Sequence, residues 1–272
     1  DAKAFAIGSC FARNIERRLA SQGVNVATLG ISLPPESYAS LVAPNAVLNK
    51  YNTHSIESEV LSAFGEVNFP NMGLIEIDGG WWDPLAHATH SGEYEHVADI
   101  RRRVQAVTRQ ISDCDLVIIT LGLNEVWFDD ETGVYLNGMP PREAIRRSRD
   151  RFSVILSDVE DNVVSLTRTI ECMRANAKPG LKVVITVSPV PMSMTLTGMD
   201  VILANTFSKS MLRVCAQVIA EKYDFVDYFP SYEIAINSPP ELVWAPDRLH
   251  VADNAVGHIT GYFIEKYLEP AV

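Results

Sequence analysis

The 272-residue sequence is 47% hydrophobic, enough apolar surface to bury the core of one large domain over residues 1–272. Its net charge of −11 and the absence of an extended basic stripe argue against a nucleic-acid partner. No apolar run reaches the ~20 residues that a membrane-spanning helix requires, so we expect no membrane span.

The first predicted element is a strand that ends in a tight turn and leads directly into a helix. An apolar run over 4–7 stops at Gly8, and an amphipathic pattern begins at Phe11. The turn therefore places Ser9 and Cys10 at a helix amino end, where free N–H groups and the helix dipole stabilise negative charge. Either side chain is a candidate nucleophile. The structural alternative is an ordinary turn in which Ser9 caps the helix and Cys10 is a small buried hydrophobe.

The rest of the chain alternates strands with amphipathic helices. Further strands are predicted near 25–29, 116–121, 182–187 and 225–227, and helices near 56–64 (with Ser55 as N-cap), 97–112, 157–176, 201–222 and 254–267. A loop covers 30–52, short strands and a covering loop occupy 67–95, and a hairpin turns at Thr132-Gly133. This alternation predicts an α/β domain with a parallel sheet covered on both faces, and a ligand site outside the carboxyl ends of its strands.

Polar residues of complementary chemistry follow three of these strands. The first group is the turn at Gly8, the second contains Asn124, and the third is the pair Asp247 and His250. A nucleophile needs a base and a group that orients the base, while the oxyanion formed from an ester needs hydrogen-bond donors. His250 would act as the base, and Asp247 would orient the His250 ring. Asn124 would donate a hydrogen bond to the oxyanion. The pattern indicates an acyl-transfer site.

The four cysteines, Cys10, Cys114, Cys172 and Cys215, are far apart in the sequence and form no Cys-x-x-Cys pair. Such scatter favours reduced thiols in a cytoplasmic protein and predicts neither a metal cluster nor a cofactor. His87, His90 and His96 lack the helical carboxylate–histidine motif of a metal site, so we interpret them as solvated loop histidines.

The motif Gly-Ser-Cys-Phe-Ala over residues 8–12 gives the GSCFA family its name, and the sequence resembles that family along most of its length. Residues 122–125, 187–191 and 204–213 and the Asp247/His250 pair contribute to the resemblance. The family is similar to SGNH (GDSL-like) hydrolases. This implies a flavodoxin-like three-layer α/β/α sandwich with a five-stranded, mostly parallel sheet and loop insertions. It also implies ester hydrolysis or acyl transfer, often on carbohydrates.

The resemblance carries over to individual residues. Aligned without a gap, the family's Gly-Asp-Ser block places the nucleophile at Cys10, and a shift of one residue places it at Ser9. We favour Cys10, as in the Gly-Asn-Cys-Gln opening of relatives similar to polysaccharide acetyltransferases. Beside a histidine and at a helix amino end, its thiolate should be favoured. The oxyanion donors implied are Asn124 and the Gly8 turn. Asn52 is a candidate for the missing glycine of the second block, or simply a polar turn residue.

Several other residues have both a structural and a functional interpretation. Glu125 is either a substrate ligand or a cap for the following segment. Trp82, with Trp81, either lines a sugar-binding lip or anchors a long loop in the core. Ser208 and Lys209 are interpreted first as a helix start or a solvated face.

The sequence therefore predicts an esterase or O-acyltransferase whose partner is a small-molecule or glycan acyl ester. No cofactor is implied, and no oligomeric state is indicated. The alternative is a catalytically inactive SGNH-fold module that binds a glycan or a protein.

Overall fold

The computed structural model describes residues 2–38, 43–77 and 79–268. Residues 39–42 of the predicted loop over 30–52, and residue 78 of the segment over 67–95, lie outside the described residues. The strands are β1 (Lys3–Gly8), β2 (Asn25–Val26), β3 (Ile75–Ile77), β4 (Gly80–Trp82), β5 (Leu116–Leu121), β6 (Glu125–Asp129), β7 (Val134–Leu136), β8 (Phe152–Leu156), β9 (Lys182–Val187) and β10 (Val226–Tyr228). The helices are α1 (Phe11–Ser21), α2 (Thr53–Ala63), α3 (Tyr94–Thr108), α4 (Arg142–Arg147), α5 (Val159–Asn176), α6 (Val201–Lys222), α7 (Ser231–Ile236), α8 (Pro240–Val243) and α9 (Asp253–Tyr267).

The central sheet has five parallel strands in the order β10-β9-β5-β1-β2. Counting only these five strands along the chain, the order is 2-1-3-4-5, which is flavodoxin-like. Both faces are covered by helices, so the predicted three-layer α/β fold is confirmed. The apolar runs of β5 and β9 form its centre because strands covered on both faces have no solvent-facing side.

Alternate residues of β1 belong to different layers of the core. Phe5 and Ile7 pack in the larger cluster with α2, α3, α5 and α6, whereas Ala4 and Ala6 pack in the smaller one with α1 and α9. Because side chains alternate across a strand, the short run of β1 separates the two helical layers. The small alanine side chains allow α1 to lie close to the sheet.

Three predicted boundaries are wrong. Strand β2 covers only Asn25–Val26 rather than 25–29, since a 3₁₀ turn occupies Ala27–Gly30. The N-cap of α2 is Asn52 rather than Ser55, because the Asn52 side-chain oxygen accepts the Ser55 backbone N–H at 2.8 Å. Helix α3 begins at Tyr94 rather than 97, and 3₁₀ geometry replaces its predicted end over Arg109–Asp113.

Two antiparallel insertions flank the central sheet. The predicted hairpin forms between β6 and β7, and β8 pairs with the other edge of β6. The sequence analysis does not predict β8, because its five residues follow a polar, arginine-rich segment and end just before α5. A second hairpin joins β3 to β4. Among the described residues no helix is sufficiently long and apolar to cross a bilayer.

Candidate active site

The turn between β1 and α1 requires glycine at its first position. Gly8 has φ of +128°, and a Cβ placed there would lie 2.1 Å from the Thr120 carbonyl oxygen of β5. A side chain is therefore excluded by both the backbone conformation and the neighbouring strand. The next residue strengthens this contact, since the Ser9 N–H donates to the same Thr120 oxygen at 3.0 Å. The turn is held rigidly against the centre of the sheet.

Ser9 and Cys10 have different surroundings. Ser9 is buried, its hydroxyl lies 3.2 Å from the Thr120 hydroxyl, and it accepts the Phe11 N–H at 3.4 Å. Cys10 is solvent-exposed and occupies the N-cap position of α1. The expectation that Ser9 caps the helix and Cys10 is a buried hydrophobe is therefore wrong, because Ser9 is tied to β5 one residue before the cap. Cys10 is the side chain that solvent can reach.

Two cavities meet at Cys10. The larger has a volume of about 770 Å³ and is lined partly by Asn45, Tyr51, His87 and His250. The smaller, about 220 Å³, is lined by Ser9, Cys10 and Gly122 together with Met192, Met194 and Lys209. The thiol thus lies between a large cleft and a small pocket.

Asp247 and His250 form a hydrogen-bonded pair in the loop before α9. His250 Nδ1 and Asp247 Oδ2 are 2.6 Å apart, while Asp247 Oδ1 accepts the N–H groups of Leu249 and His250 at 3.0 Å each. The His250 side chain and these N–H groups hold the pKa of Asp247 well below its usual range. This bonding fixes the imidazole ring with its other nitrogen, Nε2, free of hydrogen bonds within the described part of the chain.

The structure brings His250 and Cys10 to the wall of one cavity. Within the described residues no hydrogen bond joins the two side chains. The His250 side chain is 74% exposed. The absence of that bond does not exclude His250, because catalytic hydrogen bonds are often long before substrate is present and tighten with it. Cys10 and His250 therefore line one cavity, and the Asp247 carboxylate is bonded to the imidazole of His250.

Burial raises the pKa of the Cys10 thiol. The positive charge of Lys209 opposes this most strongly, followed by the N–H groups of Cys10 and Phe11 and by Arg13. We expected a favoured thiolate at this helix terminus. The helix end acts in that direction. Although solvent reaches Cys10, nearby protein atoms displace part of the water around the sulfur, and this partial desolvation has the larger effect.

The two candidate asparagines lie outside both cavities. The Asn124 side chain is buried with Nδ2 4.0 Å from Met211 Sδ, and its backbone N–H donates to Ser208 Oγ. Asn52 uses both ends of its side chain: the oxygen caps α2, and Nδ2 donates to the Leu136 carbonyl at 2.9 Å. Neither amide points to Cys10 in this arrangement, and the Asn52 side chain has the structural role of a helix cap.

Two other candidates also have structural contacts. Glu125 accepts the Leu196 N–H at 3.0 Å and the Thr195 hydroxyl, so it holds the loop that follows β9. Trp82 is buried in the core of the insertions, beside Ile75 and Ile77. The structure therefore places Trp82 as a core anchor and not at either cavity.

His87 and His90 of the covering loop and His96 of α3 do not converge. His87 lies 3.2 Å from the Tyr51 hydroxyl, and His96 lies 3.4 Å from Ser37 Oγ. No group of three or more histidine, cysteine or carboxylate side chains in the described residues is arranged to hold a metal ion.

The sequence analysis placed Lys209 first at a helix start or on a solvated face and only second in the site, whereas Lys209 is wholly buried in the middle of α6. The interpretation of Lys209 as part of a solvated face is wrong. A signal was present in the sequence: Lys209 shares a helical stripe with Leu212, Ala216 and Ile219, at spacings of three, seven and ten residues. A lysine within an apolar stripe is unusual, because burying its charge is costly.

Comparison with known proteins gives a family but no characterised relative. No curated protein matches the chain. One similar solved structure, a Clostridium thermocellum family 3 carbohydrate esterase, has 10% sequence identity and a TM-score of 0.37, over 97% of this chain and 94% of that one. The sequence model of the GSCFA family matches residues 3–263. Because this match extends over nearly all of the 272 residues, the chain belongs to the GSCFA family.

Proposed function

We propose that this protein is an SGNH-type esterase that hydrolyses an acyl ester through Cys10, His250 and Asp247. The observation that carries the proposal is the position of Cys10 and His250 on one cavity, with Asp247 bonded to the far side of the imidazole. This is the order of groups that nucleophilic acyl transfer needs, in which the nucleophile faces the base and the base is oriented by a carboxylate.

The reaction has two steps. His250 Nε2 takes the thiol proton, and the Cys10 sulfur attacks the ester carbonyl carbon, so that the carbonyl electron pair moves to its oxygen. Collapse of that oxyanion re-forms the carbonyl and breaks the bond to the alkoxide, which takes the proton from His250. Water then attacks the thioester while His250 takes one of its protons. The carbon–sulfur bond breaks as the product acid forms, and the leaving sulfur takes the proton from His250, which restores the Cys10 thiol.

The two cavities suit the two parts of an ester. A cavity of ~150 Å³ holds benzene, and the smaller pocket at Cys10, at about 220 Å³, therefore fits a short acyl group. The larger cavity, about 770 Å³, offers Asn45, Tyr51 and other polar side chains to a bulkier alcohol. The resemblance to SGNH hydrolases favours a carbohydrate as that alcohol. Hydrolysis is the first proposal; transfer to a glycan hydroxyl differs only in which acceptor attacks the thioester.

The contrast between Ser9 and Cys10 supports the cysteine as the nucleophile. The Ser9 hydroxyl is held by Thr120 and by the Phe11 N–H, so its attack would break contacts that position the turn. Cys10 is open to both cavities and is free of any disulfide. Ser9 would then support the turn and not react.

The test is hydrolysis of aryl esters of increasing acyl length, followed by acid trapping and mass mapping of the acylated residue. We expect turnover with short acyl groups, an acyl adduct on Cys10, and loss of the adduct in Cys10→Ala. Ser9→Ala is the matched comparison, since it changes the neighbouring residue of the same turn and should retain the adduct.

Changing His250 tests the base separately. His250→Ala should lower turnover by about 10²–10⁴-fold, the usual contribution of a general base. Its thermal unfolding should change little, because the side chain is largely exposed. An adduct on Ser9 would reassign the nucleophile, and undiminished turnover in His250→Ala would remove the base from the mechanism. Inertness of the parent protein toward every ester would favour the glycan- or protein-binding alternative.

A further inference from the structure

We propose that the buried ammonium group of Lys209 stabilises the Cys10 thiolate. The inference rests on the proposed function, because it gives Lys209 a role at the nucleophile of that reaction.

Lys209 and Cys10 line the same small pocket but belong to different helices. Lys209 is on the inner face of α6, and Cys10 is at the amino end of α1. The Lys209 ammonium donates to the Gly122 carbonyl oxygen at 2.9 Å, which fixes it at the carboxyl end of β5. Each group favours the charged form of the other: Lys209 lowers the pKa of the thiol, and the thiolate raises that of the lysine.

Within the part of the chain that the structure describes, Lys209 pairs with no carboxylate. Its one hydrogen-bonding partner is the neutral Gly122 carbonyl, and the other described residues that line the small pocket, apart from the thiol itself and Tyr51, carry no ionisable group. Burial lowers the pKa of Lys209 to about 7. A buried ammonium without a counter-ion is costly, and a negative sulfur beside it removes that cost.

Other ionisable side chains line the two cavities: Arg13, Arg17, Tyr51, His87, His250 and Asp253. Arg13 is already paired with Glu16 at 2.8 Å, and His250 with Asp247. Burial raises the pKa of Tyr51 to about 12 and lowers that of His87, so both are neutral near pH 7. Lys209 is therefore the buried cation whose charge is available to the sulfur.

The position also lacks a stabilising reason for lysine. Its helical neighbours on the same stripe are the fully buried Leu212 and Ala216, and methionine would fit such a stripe without a buried charge. Replacing a buried charged group with an apolar residue of similar size is often neutral or stabilising. A lysine here is explained by what it does to Cys10.

Alkylation of Cys10 tests the charge without requiring any substrate. The rate of carboxamidomethylation by iodoacetamide is measured against pH, with the adduct assigned by peptide mapping. In Lys209→Met we expect the rate at pH 7 to fall about tenfold or more and its pH midpoint to rise, since an adjacent cation shifts a pKa by about one unit or more. Lys209→Arg, which keeps the charge, should recover part of the rate.

The matched control is Lys222→Met, the same substitution at the partly exposed end of the same helix, 13 positions away. It should alkylate like the parent. Ester turnover should fall in Lys209→Met through kcat, with KM little changed. Thermal unfolding should show a folded variant of equal or greater stability. An unchanged alkylation profile in folded Lys209→Met would overturn the proposal. If Lys209→Met is alkylated more slowly than the parent but the parent hydrolyses no ester, the role of Lys209 is supported and the esterase proposal is rejected.

Discussion

At the scale of single residues, the absence of one methyl group decides the geometry of the site. Gly8 lets β1 turn into α1 while its backbone touches the Thr120 carbonyl of β5. Its carbonyl oxygen also accepts the Lys50 N–H at 2.7 Å. The position of Cys10 thus depends on the contact between Gly8 and Thr120, which leaves no room for a side chain at residue 8.

We predict that Gly8→Ala lowers the free energy of unfolding by about 4 kcal/mol or more, as expected when strain and steric overlap combine. Gly23→Ala is the control, because Gly23 also has a positive φ, of +83°, but has open space around it. That substitution should cost about 1–2 kcal/mol. Urea unfolding of both variants gives the comparison; equal losses would show that backbone conformation alone, and not the contact with Thr120, requires Gly8.

The motif residues could be found in the sequence, but their partners could not. A strand–turn–helix pattern is local, so Ser9 and Cys10 were predictable together with the end of β1. Which of the two is buried depends on Thr120, more than 100 residues away. The surroundings of Asn52 and Lys209 likewise depend on residues far away in the sequence, so their roles could not be predicted from the sequence. An asparagine before a helix is equally consistent with a cap or a site, and only the tertiary fold shows where a lysine in an apolar stripe points.

At the scale of elements, a buried ion cluster ties α2 to α3. Glu59 of α2 pairs with Lys50 at 3.2 Å and with Arg101 of α3, and Arg101 also reaches Asp83 at 3.4 Å. Burial alone would raise the pKa of Glu59. Arg101 and Lys50 outweigh burial and lower it from the ordinary value of 4.5 to about 2.

The sign of the pH dependence follows from this shift. Because the folded pKa is the lower one, ionised Glu59 stabilises the fold fully above about pH 4.5, and this contribution is lost as the pH falls toward about 2. We predict that Glu59→Gln flattens the loss of stability over that range, measured by urea unfolding at several pH values. It should also lower stability near pH 7 by about 3–5 kcal/mol, because Arg101 and Lys50 remain buried.

Glu57 on the same helix is the control. Burial raises the pKa of Glu57 above its ordinary value of 4.5, so its protonation stabilises the fold as the pH falls toward about 4.5. Glu57→Gln should remove that gain and leave the loss of stability below about pH 4.5 unchanged. If the two variants had the same pH profile as the parent, the cluster at Glu59 would not contribute to acid unfolding.

The elements themselves were largely predictable where their signal is periodic. The long apolar runs of β5 and β9 and the amphipathic α6 have the predicted boundaries. The predicted bounds of the two-residue β2 are wrong, and the five-residue β8 is not predicted at all. Short strands are defined by their pairing partners and not by their own composition.

At the scale of the whole molecule, the four thiols fall into two classes. Burial raises the pKa of Cys114, Cys172 and Cys215 to about 11, and these thiols lie within the core. Cys10 is exposed. We predict that Ellman's reagent titrates one thiol of the native protein quickly and all four after denaturation. Cys10→Ala should lose the fast phase, whereas Cys172→Ala should keep it. Two or more fast thiols in the parent would contradict the described packing.

The distance along the chain between Cys10 and His250 affects how the protein is made. Synthesis proceeds from the amino end, so all five strands of the central sheet emerge before the base does. Helix α9, which packs on α1 through Ile259 and Phe263, comes later still. During translation the nascent chain therefore carries the proposed nucleophile before the proposed base, and the apolar face of α1 is not yet covered by α9. Activity should therefore appear only after His250 and α9 have left the ribosome.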